Sequence, residues 1–224
     1  MPTIVIGGHT RNIGKTSVVA GLISALPQLN FTAIKITQFG HNVCSANGEP
    51  CDCQTADHTI AISEERDPTT GTDTSRFLAA GARRVFWVRT RQGELAEAMP
   101  RVRKLIAESE NIILESNSVL RFLQPDLSLA VLDPTIADFK PSALRYLDRT
   151  DAIILPAGAT LETLTHAWPG ISPRLLAGKP LFHIAPPVYT SDDLVHFVST
   201  KLTTSTEPRT RFSLRFEADA DESV

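Results

Sequence analysis

The residues best placed to do chemistry lie in "GGHTRNIGKTS", residues 7–17. Five residues separate Gly8 from Gly14-Lys15-Thr16, one more than in the common G-x-x-x-x-G-K-[ST] phosphate loop. A glycine-rich turn that opens a helix offers unpaired backbone N–H groups and the positive end of the helix dipole, and both favour an anion. Gly14 lets the backbone approach a phosphate, Lys15 reaches the outer phosphates, and the Thr16 hydroxyl suits a magnesium ion. The nucleotide-binding stretch is therefore read as Gly8, Arg11, Asn12, Ile13, Gly14, Lys15, Thr16 and Ser17. Arg11 either neutralises phosphate charge or pairs with an acidic residue, and His9 is expected to be solvated.

Magnesium needs a further hard oxygen ligand, normally a carboxylate at a strand end. Two positions have that pattern, Glu115 closing "IILE" and Asp133 closing "LAVLD", and Asp133 before Pro134 suits the cap of a turn better. Asp73 reads equally as a metal or water-positioning group and as the N-cap of a helix that begins at Thr74. Arg76, one turn into that helix, is expected to be solvated. Trp87 and Trp168 read as packing groups, and no Ser-His-Asp spacing suggests a hydrolase triad.

The three cysteines, Cys44, Cys51 and Cys53, fall in one ten-residue window, "CSANGEPCDC", with His41 before it and His58 after it. Thiolates with a neighbouring imidazole suit a tetrahedral zinc or another soft metal, and Cys44, Cys51, Cys53 and His41 form the candidate ligand set. C-x6-C-x-C is not a common zinc spacing, and ordinary reduced thiols in a loop remain the alternative.

Short apolar runs of strand length recur at 3–6, 31–36, 85–88, 112–114, 127–132, 152–155 and 181–184. They are apolar on both faces, as strands covered on both sides are. Helical patterns lie between them at 15–26, 73–82, 100–108, 141–147 and 192–201, with Pro100 and Pro141 at plausible first helical positions and Ser191 or Asp192 as a cap. The alternation predicts an α/β fold, a mostly parallel sheet with helices on both faces in three layers, and a single nucleotide-binding domain over 1–204. Residues 37–72 read as a long inserted loop, and 205–224 as a polar tail whose end is expected to be disordered.

These segments carry a family resemblance. "GHTRNIGKT" resembles the loop of dethiobiotin synthetase and of the cobyrinic acid amidases, which also place five residues before G-K-[ST]. "FTAIKITQFGH" is similar to the strand that carries the synthetase's lysine, and this implies that Lys35 faces substrate and phosphate. "GTDTSRFLAAGARRVFWVR" and "NIILESNSV" resemble molybdopterin-guanine-dinucleotide biosynthesis protein B, a GTP-binding protein of the same P-loop class. The resemblance covers 3–155 with gaps, favours Glu115 over Asp133 as the acid, and implies a P-loop NTPase fold. It departs at Ser116 and Asn117, where both families tend to have glycine. Lys15, Thr16, Lys35 and Asp73 form the expected catalytic set, with Thr16 and Glu115 on magnesium. Resemblance would place the base near 156–159 or 183–187. No N-K-x-D or T-K-x-D guanine motif is present, so ATP and GTP both stay open.

The bulk properties agree. A chain of 224 residues with net charge −3 has no excess of positive charge to attract nucleic acid or an anionic membrane. No apolar run reaches the roughly 20 residues of a membrane span, and an apolar run starting at Thr3 predicts no signal peptide, so a cytoplasmic protein is expected. Three functions follow. The leading one is a magnesium-dependent ATP- or GTP-binding protein with slow NTPase activity that supports cofactor or metal-site assembly, working with a partner metalloenzyme or assembly protein, with a homodimer left open. The others are an ATP-dependent carboxylate–amine ligase and a metal or redox sensor built on the cysteines.

Overall fold

The computed structural model describes residues 1–39 and 60–204. Eight strands form one sheet: β1 (Thr3–Gly8), β2 (Phe31–Phe39), β3 (Ile60–Glu65), β4 (Arg84–Arg91), β5 (Asn111–Glu115), β6 (Leu127–Val131), β7 (Ala152–Pro156) and β8 (Leu181–Ile184). Their order is β3-β4-β2-β5-β1-β6-β7-β8. Every neighbouring pair is parallel except β3 with β4. The α-helices among the described residues are α1 (Lys15–Ala25), α2 (Asp73–Ala79), α3 (Leu95–Ala107), α4 (Pro141–Leu144), α5 (Leu161–Ala167) and α6 (Asp192–Thr204).

The predicted α/β class and the parallel sheet with helices on both faces are observed. Successive side chains of a strand point to opposite faces, and the apolar runs divide accordingly. Ile4, Ile6, Ala33, Ile113 and Ile154 pack with Val18, Val19 and Leu22 of α1, Phe77 of α2, and Leu194 and Val198 of α6. Val5, Ile34, Ile112 and Leu114 face the opposite way and meet Leu95, Ala98, Met99 and Val102 of α3. Ile153 and Leu155 join Leu164 and Trp168 in a third cluster under α5. Helices cover both faces, so the central strands are apolar at most positions, with Lys35 and Glu115 among the exceptions.

Several elements differ from expectation. The loop assigned to 37–72 is shorter: β2 runs on to Phe39, and β3 lies antiparallel to β4 with Ile60 opposite Thr90 and Glu65 opposite Val85. All six residues of β3 are half-buried. An edge strand with one open face is not a continuous apolar run, and it therefore reads as loop. α3 begins five residues before Pro100, which lies inside the helix. Its stripe of Leu95, Ala98, Met99 and Val102 has the i, i+3, i+4, i+7 spacing of one helix face, and burial of that stripe offsets the N–H that proline lacks. Pro141 does occupy the start of α4, but that helix stops at Leu144 and a separate 3-10 turn follows at Leu147–Arg149. α5, absent from the expected helices, is fixed by a reciprocal cap between Thr160 and Thr163. At α6 the cap is Ser191, whose Oγ accepts from the Leu194 N–H at 3.3 Å.

No helix among the described residues is long and apolar enough to cross a membrane. Cys44, Cys51, Cys53, His41 and His58, and the tail 205–224, lie outside the described residues.

Candidate nucleotide and metal site

The loop between β1 and α1 stands at the middle of the sheet, where the chain departs from β1 between β5 and β6. A sheet that turns outward in both directions from a central strand leaves a crevice at the carboxyl ends of its strands, the usual ligand position in such folds. Gly14 is the N-cap of α1 with φ 88°, a left-handed conformation that only glycine adopts cheaply. No side chain caps this helix end, so its first backbone N–H groups are left for an anion. The Tyr189 ring lies where a Cβ on Gly14 would sit, within 2.9 Å. A side chain at position 14 would therefore be both strained and crowded.

The longer loop is held from beneath. A Cβ on Gly7 would come within 2.2 Å of Asn117 Oδ1. The space that glycine leaves lets the Asn117 amide grip Gly8 twice: Oδ1 accepts from the Gly8 N–H at 2.9 Å and Nδ2 donates to the Gly8 carbonyl at 2.8 Å. Asn117 was legible in the sequence only as a departure from glycine; here it anchors the first residue of the loop. His9 is fully buried, against the expectation of a solvated residue. Its ring lies 4.8 Å from Trp168 and 5.4 Å from Phe139, and Nδ1 is 2.7 Å from the Asp138 carbonyl. Burial holds the His9 pKa below its ordinary value, with the Asp138 carbonyl opposing the shift. Thr10 donates to the Asp138 carboxylate, and the Lys140 N–H donates to the His9 carbonyl at 2.8 Å. The loop thus turns His9, Thr10 and Ile13 inward as anchors, while Arg11 and Asn12 stay exposed.

Lys15 curls back on its own loop and donates to the Thr10 carbonyl. Burial lowers its pKa to about 8, although the nearby Glu115 carboxylate pulls the other way. The ammonium is thus poorly hydrated and poised to gain from an incoming phosphate.

Beside it lies an acidic constellation. Lys35 of β2 and Glu115 of β5 are paired in the sheet register, and both face α1. Thr16 Oγ1 donates to Glu115 Oε2 at 2.9 Å. Lys35 Nζ lies 3.1 Å from both Glu115 oxygens, 2.5 Å from Asp73 Oδ2 and 3.4 Å from Thr16 Oγ1. Glu115 is buried, with 8% of its side chain exposed, whereas Asp73 keeps 44% and faces the opening. Asp73 is the first residue of α2 and not its cap: Thr72 Oγ1 accepts from the Ser75 N–H at 3.1 Å. Thr72 and Thr74 both donate to Glu65, tying the start of α2 to β3. Arg76 is exposed, as expected, and from there reaches Ser17 Oγ at 2.8 Å and Asp73 Oδ1 at 4.0 Å.

The chemistry of this donor set fits a hard divalent cation. A hydroxyl and two carboxylates point their oxygens at one place, and a positive charge already sits there on Lys35. Thr16, Asp73 and Glu115 are the residues that could hold magnesium. Among the described residues, no three His, Cys, Asp or Glu side chains gather into a metal-binding group, so the hydroxyl of Thr16 has to complete the set.

No protein-family model matches the chain. No curated protein matches its sequence. Solved structures similar in fold include those of HypB, LpxK and MobB. HypB from Helicobacter pylori, solved in complex with nickel, is 14% identical, with 93% of this chain and 91% of that one covered at a TM-score of 0.49. LpxK from Aquifex aeolicus, solved in complex with ATP, is 21% identical, covering 82% of this chain and 53% of that one at 0.45. MobB from Bacillus subtilis is 18% identical, covering 90% of this chain and 98% of that one at 0.40.

Most of the sequence-predicted site residues come together. Gly8, Ile13, Gly14, Lys15, Thr16 and Ser17 form the loop and the first turn of α1, Asn12 takes a left-handed conformation at φ 58°, and Arg11 is exposed beside Lys140. Asp133 caps a turn as expected, accepting from the Thr135 N–H at 3.0 Å. Trp168 packs in the third core cluster and bonds the Ala137 carbonyl, whereas Trp87 is half-buried, bonds Thr37 Oγ1 and carries the Arg89 guanidinium over its ring at 4.4 Å. Sequence reading missed Asn117, Asp138 and Tyr189. Each comes from a distant segment, and no local spacing relates it to the loop.

Proposed function

We propose that this protein binds a magnesium nucleotide, ATP or GTP, at residues 8–17 and hydrolyses it slowly in support of cofactor or metal-site assembly. The observation that carries the reading is the convergence of Thr16, Asp73 and Glu115 on one point beside the Gly14 amide and the Lys15 ammonium. Gly14 and Lys15 hold the phosphates, and Thr16, Asp73 and Glu115 hold the metal. Magnesium bound there supplies positive charge to the phosphate oxygens and so favours phosphoryl transfer. Lys15 and the free N–H groups of α1 stabilise the charge that develops on the transferring group. The assembly role rests on the resemblance of residues 71–89 and 111–119 to molybdopterin-guanine-dinucleotide biosynthesis protein B.

Calorimetry with ATP and GTP in magnesium tests this. Lys15→Ala should weaken binding by about tenfold to a hundredfold, the loss of one or two charge-assisted hydrogen bonds; unchanged binding would refute the site. Rapid turnover that appears only with a small-molecule carboxylate and an amine would replace this reading with the ligase. Nucleotide binding without hydrolysis, in anaerobically purified protein carrying a stoichiometric soft metal, would replace it with the sensor.

A further inference from the structure

We infer that Lys35 is a tethered counter-cation that keeps divalent metal out of the nucleotide-free site and yields its place only when metal arrives with nucleotide. The inference rests on the reading of Thr16, Asp73 and Glu115 as the metal's oxygen ligands. Those three side chains come from α1, from the start of α2 and from the end of β5, and the Lys35 ammonium lies within 3.4 Å of an oxygen of each. Lys35 is itself held in place, because its register with Glu115 in adjacent parallel strands brings the two side chains to the same face. Its side chain is 15% exposed, so the ammonium occupies the interior of the acidic cluster and does not lie over it.

Charge makes the arrangement selective. With Lys35 in place, one ammonium pairs with both carboxylates, and Arg76 adds a longer contact to Asp73 at 4.0 Å. A free divalent ion would have to shed water and displace an ammonium that already satisfies both acids. A nucleotide changes the balance, since its phosphates add oxygens for the metal and a new anionic partner for the displaced ammonium. The four-carbon stem of lysine allows that swing without moving β2. An arginine could not make it in the same way, because its planar fork prefers to keep a carboxylate. The displacement also removes the nearer of the two cationic partners that Asp73 has at the first position of α2, leaving Arg76 at 4.0 Å. Loading of the site is thereby felt by a helix whose other end of contact is Arg76 on Ser17 of the loop.

Manganese titration of the full-length, reduced protein, followed by electron paramagnetic resonance, tests the inference. Wild type, Lys35→Met, Lys35→Gln, Lys35→Arg and Glu115→Gln are compared with and without a non-hydrolysable nucleotide. Without nucleotide, Lys35→Met and Lys35→Gln should bind manganese about tenfold or more tightly than wild type, as expected when a neighbouring positive charge is removed. Adding Glu115→Gln to either should abolish the gain, and Lys35→Arg should show none. Magnesium alone should also raise the melting temperature of Lys35→Met or Lys35→Gln but not of wild type. Should one neutral variant fail to fold, the other carries both readouts. The inference is overturned if the neutral variants bind manganese no better than wild type while wild type with nucleotide still takes it up through Glu115. If uptake with nucleotide is the same in Glu115→Gln as in wild type, the metal-site reading itself fails.

Discussion

Lys15 illustrates how burial sets a single residue's behaviour. Desolvation brings its pKa to about 8, against an ordinary value of 10.5, so the nucleotide-free protein begins to lose this proton just above neutrality. A bound phosphate favours the charged form and raises the pKa again. Binding therefore takes up a proton above pH 8, and affinity should be constant below that pH and fall by up to about tenfold per pH unit above it. Calorimetry from pH 6.5 to 9.5 reads the slope, and Lys15→Ala should flatten it. Asn117 and His9 show what a sequence conceals at this scale. The type of each residue was plain, but whether the amide met Gly8 or the imidazole met Trp168 depended on segments more than a hundred residues away.

At the scale of elements, the site is as well defined as the helices and strands that carry it. α2 has seven residues, too few to be stable alone, and packing holds it in place. Phe77, fully buried in the core shared with α1, anchors it one turn after Asp73, and Glu65 of β3 fastens its first turn. Phe77→Ala should cost about 3–5 kcal/mol of stability, measured by urea unfolding, because a large cavity would open between α1 and α2. It should also raise the metal concentration needed for nucleotide binding, since Asp73 would lose its fixed position. A variant with lowered stability but an unchanged metal requirement would show that Asp73 is held by other means. The elements most legible in the sequence were those with dry surroundings on both sides. β1, β5, β6 and β7 read as continuous apolar runs because helices cover both faces, whereas β3 is half-open and looked like loop. α3 was cut short by Pro100, since a proline is a strong local signal for a helix start and the buried stripe that overrides it becomes visible only against β4 and β5.

For the whole molecule, one sheet connects every part of the site, so ligand binding should stabilise the fold as a unit. Magnesium nucleotide at about a hundred times its dissociation constant should add about 2.7 kcal/mol, or roughly 5–10 °C in melting temperature for a domain of this size. Scanning calorimetry with and without ligand measures the shift, and a change below about 2 °C would mean that the nucleotide engages little of the folded structure. The phosphate loop, the alternation of strand and helix, and the chemical capability of Thr16, Lys35, Asp73 and Glu115 are legible in the order of residues. These depend on local spacing and on periodic burial, and both are written along the chain. That Lys35 sits among the acids, that His9 is buried, and that Asn117 holds the loop emerge from the folded arrangement alone. Those outcomes follow from strand order and register: β2 lies beside β5, Lys35 is aligned with Glu115, and no local pattern encodes which strands become neighbours.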